Sequence, residues 1–110
     1  MLENIKKYEV TKADKFDFSV LIPTWNNHAF VLHCLESLRK NSTLNLQPIV
    51  IINDGSDGTF DWFLNQTEID YIHSENNIGI CYALNIARSL VKSDYIVYAN
   101  DDMYFLPEWD

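Results

Sequence analysis

Apolar residues along the chain gather into four short β-type runs rich in Ile, Val, Tyr and Phe, over residues 16–22, 48–52, 69–72 and 95–99. Between these runs the spacing turns helical. After the first, Val31, Leu35 and Leu38 recur at the helical interval, with Asn26 or Asn27 placed as an N-terminal cap. Arg39 and Lys40 suit the negative C-terminal end of that helix. After the second, Phe60, Phe63 and Leu64 form a short apolar face just beyond the turn residues Asp54-Gly55-Ser56-Asp57-Gly58. After the third, Ile80, Leu84, Ala87 and Val91 mark a longer helix that opens through Asn76-Asn77-Ile78-Gly79. The predicted order is βαβαβαβ.

Such alternation calls for an α/β fold, a Rossmann-like open parallel sheet with helices on both faces, because each crossover helix must bury its stripe against the sheet. With right-handed crossovers, winding out from the first strand and returning to its other side gives the strand order 3-2-1-4. The switch point then falls between strands one and four. Cys34 and Cys81 lie on helices that cover opposite faces in this arrangement, too far apart for a disulfide, and without CxxC spacing they read as buried free thiols. Residues 1–15 are polar and mixed in charge and read as a loose or helical lead-in; residues 16–110 form the domain. The run 95–98 is an apolar edge strand close to the last residue, which points to a longer natural protein or to another chain at that edge.

Charge narrows the partners. Sixteen acidic residues against eight basic ones give a net charge of −8, which repels a phosphate backbone, so nucleic acid is not expected as a partner. A single nucleotide remains possible where backbone N–H groups, a helix N-terminus or a divalent cation compensate locally. The N-terminal residues carry no apolar core of signal-peptide length, and no stretch approaches the roughly 18 apolar residues of a membrane span, so the chain reads as cytosolic. The sequons at Asn41 and Asn65 carry no weight in that setting.

Three polar clusters follow strands and so share one rim: Pro23-Thr24-Trp25-Asn26-Asn27, Asn53-Asp54-Gly55-Ser56-Asp57 and Asn100-Asp101-Asp102. Ligands of open α/β sheets bind outside the carboxyl ends of the strands at the switch point, where the first and third clusters meet. Asp101-Asp102 suits a hard divalent ion, Mg²⁺ or Mn²⁺, or else a pair of solvated loop acids. Asp54 is either an acceptor for a base or ribose or simple turn chemistry. Asn76, Asn77 and Gly79 either favour an anion at a helix N-terminus or only cap it. Trp25 either stacks on a base or packs. His28, His33 and His73 lack mutual metal-ligand spacing and read as surface or packing residues. No GxGxxG or Walker sequence is present, and Gly55 and Leu64 occupy ligand places of a calcium loop started at Asn53.

Taken together, Ser19-Val20-Leu21-Ile22-Pro23-Thr24-Trp25-Asn26, Ile51-Ile52-Asn53-Asp54-Gly55-Ser56-Asp57, Asn76-Asn77-Ile78-Gly79 and Asn100-Asp101-Asp102 resemble family 2 of the GT-A glycosyltransferases, from about Phe16 onward. The resemblance implies a nucleotide-sugar donor, usually a UDP-sugar, with Pro23, Thr24 and Asn26 near the base and Asp54 bonding uracil or ribose. Asn77 and Gly79 would adjoin the nucleotide. Asn100-Asp101-Asp102 resembles the DxD motif: Asp102 would join Mn²⁺ or Mg²⁺ to the diphosphate, Asp101 would help bind ribose or metal, and Asn100 departs from the acidic first place while still offering an oxygen.

The resemblance further implies inverting transfer to an acceptor hydroxyl, saccharide or lipid-linked in the full-length protein, at the cytoplasmic side and the inner face of the membrane, most often in making surface polysaccharide. The catalytic base lies beyond the DxD motif in the family, so this part is expected to bind donor without completing transfer. Two other classes stay open: a non-catalytic nucleotide-binding or structural α/β module, and a metal-dependent nucleotidyltransferase or phosphatase. The motif order argues against the phosphatase, whose dehalogenase-type acidic pair follows the first strand, where this chain has Pro23-Thr24-Trp25-Asn26.

Overall fold

The computed structural model describes residues 4–110; the first three residues of the lead-in lie outside the described residues. The elements are β1 (Ile5–Tyr8), β2 (Phe18–Trp25), α1 (His28–Asn41), β3 (Leu46–Asn53), α2 (Thr59–Leu64), β4 (Asp70–Ser74), α3 (Ile80–Ala87), a 3₁₀ turn (Arg88–Leu90) and β5 (Ile96–Tyr98). They form one five-stranded sheet in the order β1-β4-β3-β2-β5. The expected order 3-2-1-4 is its β4-β3-β2-β5 portion, with all three pairings parallel.

The lead-in requires a correction. It is neither loose nor helical at Ile5–Tyr8, which pairs antiparallel with β4, Ile5 opposite Ser74 and Tyr8 opposite Tyr71, so the sheet is mixed rather than wholly parallel. The exposed Lys6 and Lys7 hid the strand in the sequence, and lysines on an outer strand discourage further edge pairing. Tyr8 stacks on Tyr71 with ring centroids 4.5 Å apart, a cross-strand aromatic pair that sets the register.

Alternation along the strands divides the core in two. Val20, Ile22, Val50, Ile52 and Tyr71 face α1 and α2 and pack with Val31, Cys34, Leu35, Leu38 and Phe63. Leu21, Ile49, Ile51 and Ile72 face α3 and pack with Ala83, Ala87 and Leu90. The buried stripe of α3 is thus Ala83, Ala87 and Leu90, whereas Ile80, expected to lie on it, is 53% exposed. Two alanines let the short helix approach the sheet closely, so the stripe turns away from Ile80. Leu64 is likewise exposed at the end of α2, leaving Phe63 as its anchor.

Both cysteines are free, Cys34 buried and Cys81 exposed. The expectation of burial therefore fails for Cys81, which follows Ile80 in the first turn of α3, outside the buried stripe of Ala83 and Ala87. Among the described residues no helix is long and apolar enough to cross a membrane.

At the starting ends of the strands the interior is polar and satisfied. Asp70 accepts from Val10 N, Thr11 N, Thr11 Oγ1 and Gln47 Nε2 at 2.7 to 2.8 Å. Gln47 also donates to the Leu90 carbonyl and accepts from Ser19 Oγ and Lys92 N. This network fastens the chain after β1 to the sheet, at the rim opposite the clusters named above.

Candidate functional site

The carboxyl ends of β2, β3 and β5 share one rim, and a cleft of about 500 Å³ opens there at the switch point between β2 and β5. Pro23, Thr24, Asn53, Asn77, Gly79, Asn100 and Asp101 are among the residues that line it. Four chain segments separated by up to 78 positions in sequence thus meet because parallel strands put all their exits on one side. Asn26 and Asp54 form an adjoining pair, and Asp102 is exposed beside Asp101.

Asp54 is held on every side. Both Asn26 (φ 46°) and Asp54 (φ 65°) adopt the left-handed conformation, which Asn and Asp tolerate better than other non-glycine residues. The Asp54 N–H donates to the Ser74 carbonyl at 2.8 Å, and the Asp54 carbonyl accepts from His73 Nε2 at 2.8 Å. Its carboxylate accepts from Ser56 N and from Asn26 Nδ2, both at 3.1 Å, while Asn26 Oδ1 accepts from Gly55 N at 2.9 Å. Hydrogen bonds from Ser56 and then Asn26 hold the Asp54 carboxyl below its ordinary range, so it presents an ionised acceptor near neutral pH. His73, expected as a surface or packing residue, does pack, stacked on Phe60 with centroids 3.6 Å apart, and its ring also fixes the Asp54 backbone.

The acidic pair sits in a tight turn. Met103 N donates to the Asn100 carbonyl at 3.3 Å, leaving Asp101 and Asp102 as the central residues. Thr24 Oγ1 donates to Asp101 Oδ2 at 2.8 Å and thereby ties the β2 exit to this turn. Asn100 Oδ1 accepts from the Tyr98 hydroxyl at 2.5 Å. Behind the turn, burial and then the neighbouring Asp101 push the Cys34 thiol up to about 11.

Gly79 opens α3 with φ 79° and ψ 164°, a combination accessible almost only to glycine. Asn77 Oδ1 accepts from Gly79 N at 3.0 Å, and no side chain caps the helix, so its first N–H groups stay free at the edge of the cleft. At α1 the expected Asn26 or Asn27 side-chain cap is absent. Asp57 Oδ2 accepts from His28 N at 3.0 Å instead, because Asn26 is engaged with Gly55 and Asp54. Trp25 is 60% exposed and lines the cleft, which removes the packing alternative.

Three residues of this region hold places at the site that no pattern in the sequence assigns them. Asn53 bridges the Thr24 carbonyl and Ile78 N, Tyr98 reaches Asn100, and Cys81 lines the cleft. The available signal was positional: a polar residue closing the apolar run of β3, and an aromatic two places before Asn100 on a strand.

Among the described residues no group of three or more His, Cys, Asp or Glu gathers to hold a metal ion alone. The donors near the turn are oxygens, with Asp102 exposed and Asp101 half-committed to Thr24. That set suits a hard ion bound by one or two carboxylates whose remaining positions are filled by diphosphate and water.

The family model described as glycosyl transferase family 2 matches residues 19–110. Among curated relatives, glycosyltransferase GlyG of Streptococcus pneumoniae is 29% identical over 89 residues, covering 76% of this chain and 29% of the relative. The putative colanic acid biosynthesis glycosyl transferase WcaA of Escherichia coli is 28% identical over 97 residues, covering 81% and 33%. The putative glycosyltransferase EpsH of Bacillus subtilis is 30% identical over 96 residues, covering 83% and 27%. The chain thus spans about a third or less of the length of these relatives. Two solved structures share the fold. The crystal structure of S. aureus TarS 1–349 superposes with TM-score 0.68 at 22% identity, covering 80% of this chain and 28% of that one. The mannosyltransferase PcManGT from Pyrobaculum calidifontis, in complex with GDP-Man and Mn²⁺, gives 0.65 at 18%, covering 88% and 31%. Every residue that lines the cleft falls within the matched span, and the chain belongs to glycosyl transferase family 2.

Proposed function

We propose that the chain is the donor-binding part of a metal-dependent inverting glycosyltransferase that uses a nucleotide-sugar, a UDP-sugar by preference. The observation that carries this reading is the pair of links from the β2 exit: Thr24 to Asp101 across the switch point fixes one carboxylate in the cleft with the uncapped α3 N-terminus, and Asn26 to Asp54 fixes a second at the adjoining β3 exit. A nucleoside diphosphate has complementary chemistry. Asp54 accepts a base N–H or ribose hydroxyl, Trp25 offers an aromatic face to the base, and the α3 N–H groups face anionic oxygens. Asp101 would accept from ribose through the oxygen that Thr24 leaves free, and Asp102 and Asn100 would hold Mn²⁺ or Mg²⁺. When bound, such an ion supplies positive charge against the departing diphosphate. The PcManGT complex supports a nucleotide-sugar and a divalent ion as the ligand class.

The general base and the acceptor site, saccharide or lipid-linked, are assigned to the rest of the protein, working on the cytoplasmic side. By itself the chain binds donor without transferring sugar. A non-catalytic nucleotide-binding module is the second reading; the neutral Asn100 at the first place of the DxD-like motif favours it, and it requires binding that ignores the metal.

Cys81 provides a test. It is exposed and lines the cleft, whereas Cys34 is buried with its thiol pushed up to about 11, so iodoacetamide labels Cys81 selectively. Millimolar UDP with Mn²⁺ is expected to slow Cys81 labelling several-fold, measured by mass spectrometry, and UDP alone to slow it less. Labelling at the same rate with and without UDP and Mn²⁺ would contradict the reading.

A further inference from the structure

We infer that Asn53 is a positioning residue that sets the spacing of the donor cleft, an inference that rests on the donor-binding reading above. Asn53 is the last residue of β3 and is only 4% exposed. Its Nδ2 donates to the Thr24 carbonyl at 3.2 Å and its Oδ1 accepts from Ile78 N at 2.9 Å. One buried amide therefore joins the two walls of the cleft: the β2 exit, whose Thr24 hydroxyl holds Asp101, and the loop of Asn77 and Gly79 that leads into α3.

The chemistry requires a group that donates on one side and accepts on the other, since a carbonyl can only accept and an N–H can only donate. An amide meets this at every pH. A carboxylate keeps the Ile78 bond but sets oxygen against oxygen at Thr24, which raises its pKa, and its protonated form donates again. Alanine removes the Asn53 bond from the Thr24 carbonyl, which is buried, and from Ile78 N, which is part-buried. Asn53 lies at the base of the cleft with its amide engaged by Thr24 and Ile78, so a change in affinity that goes with faster exchange at Ile78 reports the placement of the walls.

The test titrates the chain with UDP in the presence of Mn²⁺ by calorimetry, for wild type, Asn53→Ala and Asn53→Asp, together with amide exchange at Ile78. Asn53→Ala is expected to bind UDP about tenfold more weakly while folded, with faster exchange at Ile78. Asn53→Asp is expected to bind weakly near neutral pH and to recover toward the wild-type affinity, measured at the same pH, as the pH falls to about 5. A structural role alone would lower the melting temperature without moving the affinity of the folded chain or its ratio to wild type across pH. A folded Asn53→Ala that binds UDP like wild type, or an Asn53→Asp ratio that stays flat with pH, overturns this inference. Failure of the wild-type chain to bind UDP instead removes the donor reading, and this inference with it.

Discussion

Replacing Asp70 with alanine is expected to destabilise the chain by about 3 to 5 kcal/mol in chemical denaturation, the largest effect of any single polar substitution. Asp70 is fully buried and satisfies four donors: Val10 N, Thr11 N, Thr11 Oγ1 and Gln47 Nε2. Alanine strands all four, and the Gln47 amide that also reaches Leu90 loses its anchor. The segment after β1 is then held chiefly by Lys92, which bonds the carbonyls of Thr11 and Ala13 and pairs with Glu9 at 2.8 Å. Its release exposes the Tyr8–Tyr71 stack and the edge of β4. A loss below about 1 kcal/mol would contradict this account.

The same group predicts a pH dependence. Burial alone would raise the Asp70 carboxyl, but hydrogen bonds from Thr11, Gln47 and Val10 outweigh it and hold the group below its ordinary value of 3.8. A depressed folded pKa means the unfolded chain takes up the proton first. This stabilisation is therefore full above the ordinary carboxylate range and is lost as pH falls through the folded value. Asp54 and Asp57 contribute with the same sign, so the informative quantity is the difference between wild type and Asp70→Ala, which should narrow with acidification.

Gly55→Ala is expected to be the second large loss, about 2 to 4 kcal/mol, accompanied by weakened nucleotide binding. Gly55 has φ 81°, and a Cβ there would lie 2.6 Å from Ile52 Cγ2 and 3.0 Å from Phe60 Cβ. Ile52 is fully buried in the sheet, so the clash moves the turn rather than the core. That turn carries Asp54, and Gly55 N is the donor that orients Asn26 against the Asp54 carboxylate. Gly58→Ala is the control: it too has positive φ, but nothing lies within 4 Å of a Cβ there. It should cost about 1 kcal/mol and leave UDP affinity unchanged. Equal effects at the two glycines, by thermal melting and titration, would show that close packing under Gly55 plays no part.

The architecture was legible where periodicity was strong. Continuous apolar runs such as Ile49 to Ile52 are the mark of a strand buried on both faces, and right-handed crossovers then gave the central strand order. β1 was hidden because a four-residue edge strand with two lysines has neither length nor alternation to announce it. Helix stripes were less legible still. Ile80 is the more hydrophobic residue, yet Ala83 and Ala87 are buried, since close approach of α3 to the sheet favours small side chains that hydropathy ranks low. At the site, the rim clusters were readable because parallel strands bring their exits together. The long-range bonds of Asn53, His73 and Asp57 were not, because nothing local in the sequence links Asn53 to Ile78, His73 to Asp54 or Asp57 to His28.

The proposed function rests on donor binding through Asp102 and a divalent ion. It is tested most directly by calorimetric titration of the chain with UDP, with and without Mn²⁺, for wild type and Asp102→Ala. Wild type is expected to bind in a manner that depends on Mn²⁺, and Asp102→Ala to lose that dependence together with most of the affinity. UDP binding of equal strength with and without Mn²⁺, or unchanged binding by Asp102→Ala, would contradict it.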